Sequence, residues 1–250
     1  MKSLVSAVAL ALLAAPTTAR ELTSLTRLRG GKLSREDIID KLNKVPTFAI
    51  CDTESNVVPV CMDGTNQDIC WFTDAAEAKH LLELTRAANE DKEFHLAVTP
   101  LGLAFVKCHG FEDDDEEESS SGYLQGNLKI RGPRKAVEAS EAALRSQAAA
   151  QGLSDASWVL PVYCHDDFQT DKIMPFFFSA SDFAAGWTRF GKAADACPDN
   201  LTVMDLRVLV KQMSETDVFP WHIFQFVTSE EGYALAAELI AEQQALDGVS

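Results

Sequence analysis

Hydrophobic residues along the chain fall into short runs that are separated by acidic and turn-forming residues. Runs rich in β-branched and aromatic residues predict strands at 45–51, 57–62, 69–72, 94–98, 102–108, 123–130 and, near the end of the chain, 219–227. Runs of this length and spacing are typical of a mixed sheet protein rather than of a helical bundle.

Helices are predicted where apolar residues recur at every third or fourth position. One begins after Ser34, where Asp37 takes the place of a capping-box acid, and ends before Pro46. A second is capped by Thr73 or Asp74 and runs to about residue 88. Two longer ones are predicted at about 135–151 and 229–245.

The pattern of the first half returns about 105 to 115 residues later. In each copy an apolar run with an early proline ends in acidic residues, a second run closes in Ser or Thr, and an alanine-containing segment leads to a third run. The matching segments are 45–52, 70–75 and 96–101 in the first copy and 160–167, 176–179 and 201–206 in the second.

These copies predict a mixed α/β (α+β) fold. Two strand-strand-helix-strand units, one at about 45–108 and the other at about 158–213, would be related by a pseudo-two-fold axis, with helices flanking the sheets. A function carried by such a pair is expected at surfaces that both units share, rather than in one dense motif.

The N-terminal segment is predicted to be a leader. Residues 1–19 combine Lys2 with an apolar stretch too short to span a bilayer, as in a signal peptide. Residues 20–33 are basic and hydroxylated with Glu21 as the one acid, which is typical of a transit peptide. The main domain is therefore expected at 34–250, and plain secretion is the alternative destination.

The charge balance narrows the class of partner. A net charge of −16 argues against nucleic acid, because phosphate binding requires a basic surface. Acids followed by serines at 112–121 predict a solvated loop, which either keeps the protein in solution or attracts basic targeting peptides.

Candidate catalytic chemistry is sparse. The sequence has no common phosphate-binding loop, no Gly-x-Ser-x-Gly elbow and no Cys-x-x-Cys pair, and its six cysteines lie mostly within apolar runs. We therefore expect no enzyme, no metal and no cofactor. The alternative is a thiol enzyme or metal-binding protein that uses Cys164, His165 and Asp167 at the end of a strand.

Aromatic pairs offer a second kind of site. Because neighbours on a strand point to opposite faces, one member of each pair enters the core and the other is covered by a helix or faces a groove. An open groove would accept unfolded polypeptide. The candidate polypeptide-binding residues are Trp71, Phe72, Phe177, Phe178 and Phe224.

The order of these segments resembles a known family. Leu42–Ile50, Trp71–Ala78, Leu160–Tyr163, Met174–Ser179 and Leu201–Leu206 are similar to the twenty-two-kilodalton component of the translocon at the inner chloroplast envelope (Tic) and its cyanobacterial and apicoplast relatives. The similarity spans roughly residues 34 to 227, and the acidic run at 112–121 departs from the family pattern.

The resemblance implies a chaperone-like component of plastid protein import. Such a protein would bind unfolded preproteins and other translocon components without nucleotide or metal, and it would lie beside membranes without spanning them. Together with the leader, it implies the intermembrane or periplastid space of a plastid of secondary origin.

Overall fold

The computed structural model describes residues 31–61, 67–111, 127–153 and 157–247. The predicted signal peptide, nearly all of the transit-like segment and the acidic loop at 112–121 lie outside these residues. The elements are α1 Arg35–Leu42, β1 Pro46–Asp52, β2 Val60–Cys61, β3 Gln67–Phe72, α2 Ala75–Ala88, β4 Phe94–Pro100, α3 Leu101–Lys107, β5 Asn127–Arg131, α4 Arg134–Ala150, β6 Pro161–Cys164, β7 Met174–Phe177, α5 Ala180–Arg189, β8 Thr202–Asp205, α6 Leu206–Glu215, β9 Phe224–Val227 and α7 Glu230–Asp247.

The two predicted helix starts are confirmed. Ser34 forms a capping box with Asp37, in which Asp37 N donates to Ser34 Oγ at 3.1 Å and Ser34 N donates to Asp37 Oδ2 at 3.3 Å. At α2, Asp74 rather than Thr73 is the cap and accepts from Glu77 N at 2.8 Å. These side-chain oxygens satisfy backbone donors that the first turn of a helix leaves unpaired.

The strands form two sheets, as expected for the predicted class. Sheet one has five strands in the order β2-β3-β1-β4, with β5 paired to β3, and sheet two has four in the order β8-β6-β7-β9. In each sheet the first long strand is antiparallel to its two neighbours, and a later strand joins in parallel: β5 on β3 in sheet one and β9 on β7 in sheet two.

Register supports the correspondence between the two sheets. Phe48 lies opposite Phe72 in sheet one, and Tyr163 lies opposite Phe177 in sheet two. In sheet one β4 leads directly into α3, and in sheet two β8 leads directly into α6. The first residue of each helix donates to the residue just before the first long strand of its sheet: Leu101 N to Val45 O at 2.8 Å and Leu206 N to Leu160 O at 2.9 Å. Both sets continue into a parallel strand and a helix, beyond the predicted units. The rotation axis between them stays a prediction.

Alternation along the strands divides the apolar side chains between three main clusters. One face of each sheet contributes to a central core, which also contains residues of α1, α3 and α6. The other face of sheet one packs under α2 and α7, and the other face of sheet two packs under α5. Strands β1, β3, β6 and β7 are therefore covered on both faces, which explains their nearly continuous apolar sequences.

The helix that follows the parallel strand of each sheet crosses to the opposite sheet. Helix α4 follows β5 of sheet one but packs on β6 and β8 of sheet two, whereas α7 follows β9 of sheet two but packs on β1 and β4 of sheet one. Leu235 and Ala236 of α7 belong to the cluster beneath sheet one. The crossing binds the two units together.

One predicted strand, at 102–108, is wrong, and two others are too long: within the described part of the run at 57–62 only Val60–Cys61 is a strand, and the run at 219–227 is also shortened. The segment predicted as a strand at 102–108 is helix α3, and its buried residues Leu101, Ala104, Phe105 and Cys108 follow a helical spacing that a short apolar run does not distinguish from a strand. In the run at 219–227, only Phe224–Val227 is a strand, because Trp221–Ile223 forms a 3-10 turn after Pro220.

Candidate functional site

The five predicted polypeptide-binding aromatics are buried. The most exposed of them, Phe224, has 4% of its surface accessible, and Phe72 has none. Trp71, Phe178 and Phe224 belong to the central core, whereas Phe72 lies in the cluster under α2 and α7 and Phe177 in the cluster under α5. The structure therefore corrects the expectation of an accessible groove lined by these residues and places them in the core.

The reason is geometric. Strand alternation does send Trp71 and Phe72 to opposite faces, but helices or the central core cover both faces. Phe177 stacks on Phe168 with ring centroids 5.6 Å apart and meets the edge of Phe183 at the same distance. Burying rings of this size contributes strongly to stability and leaves almost none of their own surface accessible to a client.

The predicted thiol and metal site is not supported by its geometry. Cys164 is buried at the end of β6, and this burial raises the pKa of its thiol to about 12, so the sulfur stays protonated at neutral pH. His165 instead stabilises the turn that follows β6, because its Nδ1 accepts from Asp167 N at 3.2 Å. Within the described ranges, no three His, Cys, Asp or Glu side chains are grouped so that they could hold a metal ion.

The accessible apolar surface is elsewhere. Val218 and Phe219, in the loop before Trp221, are 72% and 49% exposed, and the Phe219 ring meets Trp221 with centroids 5.1 Å apart. Leu84 of α2, Leu103 of α3 and Ile240 of α7 are also about half exposed. Sequence reasoning missed Phe219 because it took the aromatic run at 219–227 to be a strand. Its position in a polar segment just before Pro220 was the available signal.

A surface depression lies at the start of β4. Its volume is about 530 Å³, and Arg86, Phe94 and His95 line it together with acidic and basic neighbours from the α2–β4 turn. Arg86 Nε donates to Phe94 O at 3.0 Å. The mixed lining lacks the apolar enclosure of a typical small-molecule site.

The described residues define a two-sheet α/β protein, in which a few large apolar side chains are exposed. No helix in the described ranges has the length and apolar character needed to cross a membrane.

Two solved structures with a similar fold are Tic22 proteins. Anabaena Tic22, described as a protein of protein transport, is 14% identical over 83% of this chain and 98% of its own, with a TM-score of 0.52. Tic22 from Plasmodium falciparum is 18% identical over 82% of this chain and 98% of its own, also with a TM-score of 0.52. No protein-family model and no curated protein matches the sequence. The chain has the Tic22 fold, as the sequence resemblance implied.

Proposed function

We propose that this protein takes part in protein import into a plastid, where it binds preproteins in an unfolded state. The observation that carries the proposal is the fold shared with two Tic22 structures over 98% of each of those chains. One of them is described as a protein of protein transport. Preproteins and other translocon components are the proposed partners.

The proposed location is the intermembrane or periplastid space of a plastid of secondary origin. This location follows from the expected leader at 1–33 together with the proposed import role.

Depletion in the cell tests the import role. The gene product is tagged at its C-terminus and placed under inducible degradation, and newly made plastid preproteins are followed by pulse labelling. We expect unprocessed preproteins to accumulate, while secreted proteins of the same cell mature normally. Normal preprotein maturation after full depletion would contradict the proposal.

Client binding is tested with the purified protein. An unfolded plastid preprotein is diluted from denaturant with and without the protein, and light scattering reports aggregation at low and high salt. We expect suppression at low salt that weakens at high salt, because surface charge attraction is screened. A protein of equal size and charge that has a different fold serves as the control.

A further inference from the structure

The outer edge of sheet two is closed by a side chain. Strand β8 is the edge strand, and the bond from Leu206 N to Leu160 O fixes which of its residues face away from β6: Val203 and Asp205. The Gln147 amide of α4 fits this edge, because its Nε2 donates to Val203 O at 3.1 Å and its Oε1 accepts from Asp205 N at 3.3 Å. Unpaired edges attract other strands, and Gln147 blocks this one.

The corresponding edge of sheet one is open. Strand β4 is the edge strand, and the bond from Leu101 N to Val45 O directs the backbone groups of Phe94, Leu96 and Val98 away from β1. The C=O of Phe94 already accepts a hydrogen bond from Arg86 Nε. In the part of the chain that the structure describes, no side chain or loop bonds to the outward N–H and C=O of Leu96 and Val98.

Two sequence differences explain why this edge is open. Pro100 of β4 lies opposite Pro46, just as Asp205 of β8 lies opposite Pro161. Proline has no N–H, so no side-chain amide can accept from Pro100 as Gln147 accepts from Asp205. A shorter part of helix α7 than of helix α4 is covered by the sheet on which the helix packs. Leu144 of α4 is 1% exposed, whereas Ile240, at the equivalent distance from its strand, is 47% exposed, and every residue from 241 to 245 is exposed.

We propose that the outward edge of β4 at Leu96 and Val98 binds an extended, positively charged segment of a client polypeptide by strand addition. Unpaired N–H and C=O groups in a row match another extended backbone better than any other ligand. The half-exposed Ile240 lies on the helix that packs beside this edge and offers apolar contact to alternate side chains of the added strand. The inference rests on the proposed import function and specifies how the client is held.

Charge complementarity at the β4 edge favours a basic client segment over a second copy of this chain. Helix α7, which packs on β4, carries Glu231, Glu238 and Glu242 besides Glu230, which pairs with Arg189, and it has no Lys or Arg. A second copy of the chain would bring the same acids and a net charge of −16, so repulsion opposes edge-to-edge pairing of two copies. Targeting peptides are rich in Arg and Ser and poor in acids, and so have the complementary charge.

The test uses the full-length protein and a fluorescein-labelled peptide of about twelve residues in which Val alternates with Ser or Arg. Val98→Pro removes the outward N–H of Val98 without removing any bond to β1, and proline is tolerated on strand edges. Val98→Ala is the matched control, because it shortens the same side chain and keeps the N–H. We expect Val98→Pro to weaken peptide binding by about tenfold and Val98→Ala by less than about threefold. Equal binding by the two variants would overturn the proposal.

A second measurement leaves the protein unchanged. In an added strand, alternate peptide residues direct their N–H groups toward β4, so N-methylation of one alternate set should abolish binding to the wild-type protein, while N-methylation of the other set should not. Equal effects of the two sets would overturn strand addition. A concentration-dependent dimer that Val98→Pro dissociates, without peptide binding, would assign the edge to a second copy and also overturn the proposal.

Preprotein holding separates this inference from the proposed function. If wild-type protein and Val98→Pro suppress preprotein aggregation equally, the edge is not the client site while the import function stands. If wild-type protein fails to hold preproteins at all, the proposed function itself fails.

Discussion

The corners at which β4 and β8 turn into helices occupy equivalent places in the two sheets, but the sequence builds them differently. In sheet two, the buried carboxylate of Asp205 accepts from Leu160 N at 3.3 Å, from Arg207 N at 2.9 Å and from Arg207 Nε at 3.2 Å. In sheet one, the equivalent positions are Pro100 and Gly102. The same backbone path is thus fixed by a buried ion pair in one unit and by small residues in the other.

Gly102 is required by a close neighbour. A Cβ there would lie 2.5 Å from Asn43 Oδ1 and 2.6 Å from Ile39 O, both at the end of α1. The first unit therefore uses this corner to seat α1, whereas the second uses Arg207 to cover the Trp158 ring, with the guanidinium carbon 5.3 Å from its centroid. Corresponding positions in a repeated fold diverge when one copy acquires an extra neighbour.

Breaking the ion pair should have the largest effect. Asp205→Ala leaves the Arg207 guanidinium buried without this partner and removes the acceptor of Leu160 N, so we expect a loss of about 3–5 kcal/mol in the free energy of unfolding. Chemical denaturation measures it. Asp195→Ala, in the exposed turn before β8, is the matched control and should lie within about 0.5 kcal/mol of wild type. A loss below about 1 kcal/mol would mean that the pair does not hold this corner.

Filling the glycine corner should have the next largest effect. Gly102→Ala forces its methyl group against a backbone oxygen that cannot rotate away, and we expect a loss of about 2 kcal/mol in the free energy of unfolding. Adding Asn43→Ala should recover only part of that loss, because Ile39 O remains. Leu103→Ala, at the adjacent exposed position, serves as the control. Wild-type stability for Gly102→Ala would show that α1 does not press on this corner.

Opening the edge of sheet two tests the difference between the edges. Gln147→Met keeps the length of the side chain but loses both edge bonds, and we expect a loss of about 1–2 kcal/mol in the free energy of unfolding. The variant should also gain a second, weaker affinity for the alternating peptide, because its edge then resembles that of β4. Gln151→Met, at the exposed end of the same helix, should change neither quantity.

Thiol labelling needs no substitution and tests whether both units bury their cysteines. Cys51 in the first unit and Cys164 in the second have thiol pKa values raised by burial to about 11 and about 12. At pH 8 we expect fast labelling of exposed Cys61, slower labelling of half-buried Cys197, and labelling of the buried thiols that is slower by at least about a hundredfold. Denaturant should expose all six cysteines. Rapid labelling of Cys164 in the folded protein would revive the thiol-enzyme alternative.

Much of the fold could be predicted because it is written in local patterns. Ser34 and Asp74 mark helix starts, and Pro46 and Pro161 mark the same strand in each unit. Helix α3 could not be predicted, since seven residues around Gly102 fit either period. The crossing of α4 and α7 could not be predicted either, because an Ala-rich helix does not specify which sheet it covers.

The candidate site was less predictable than the fold. Aromatic content pointed to Trp71 and Phe177, but whether a ring faces a groove or a core depends on helices far along the chain. The difference between the two edges depends on the absent N–H at Pro100 and on Gln147, which bonds to the edge of β8. Both signals become meaningful only once the strands are paired.

The crossing of α4 and α7 makes the two halves of the molecule mutually dependent for folding. A fragment that ends near residue 153 would lack α7, which is part of the cover of its own sheet, and would carry helix α4, which packs on a sheet that is missing. This fragment and one that contains the remaining residues would complement one another by each covering the other's sheet with its last helix, much as domain-swapped partners exchange an element. The intact chain is therefore expected to unfold in one cooperative transition, and a protease cut between the halves would leave them associated.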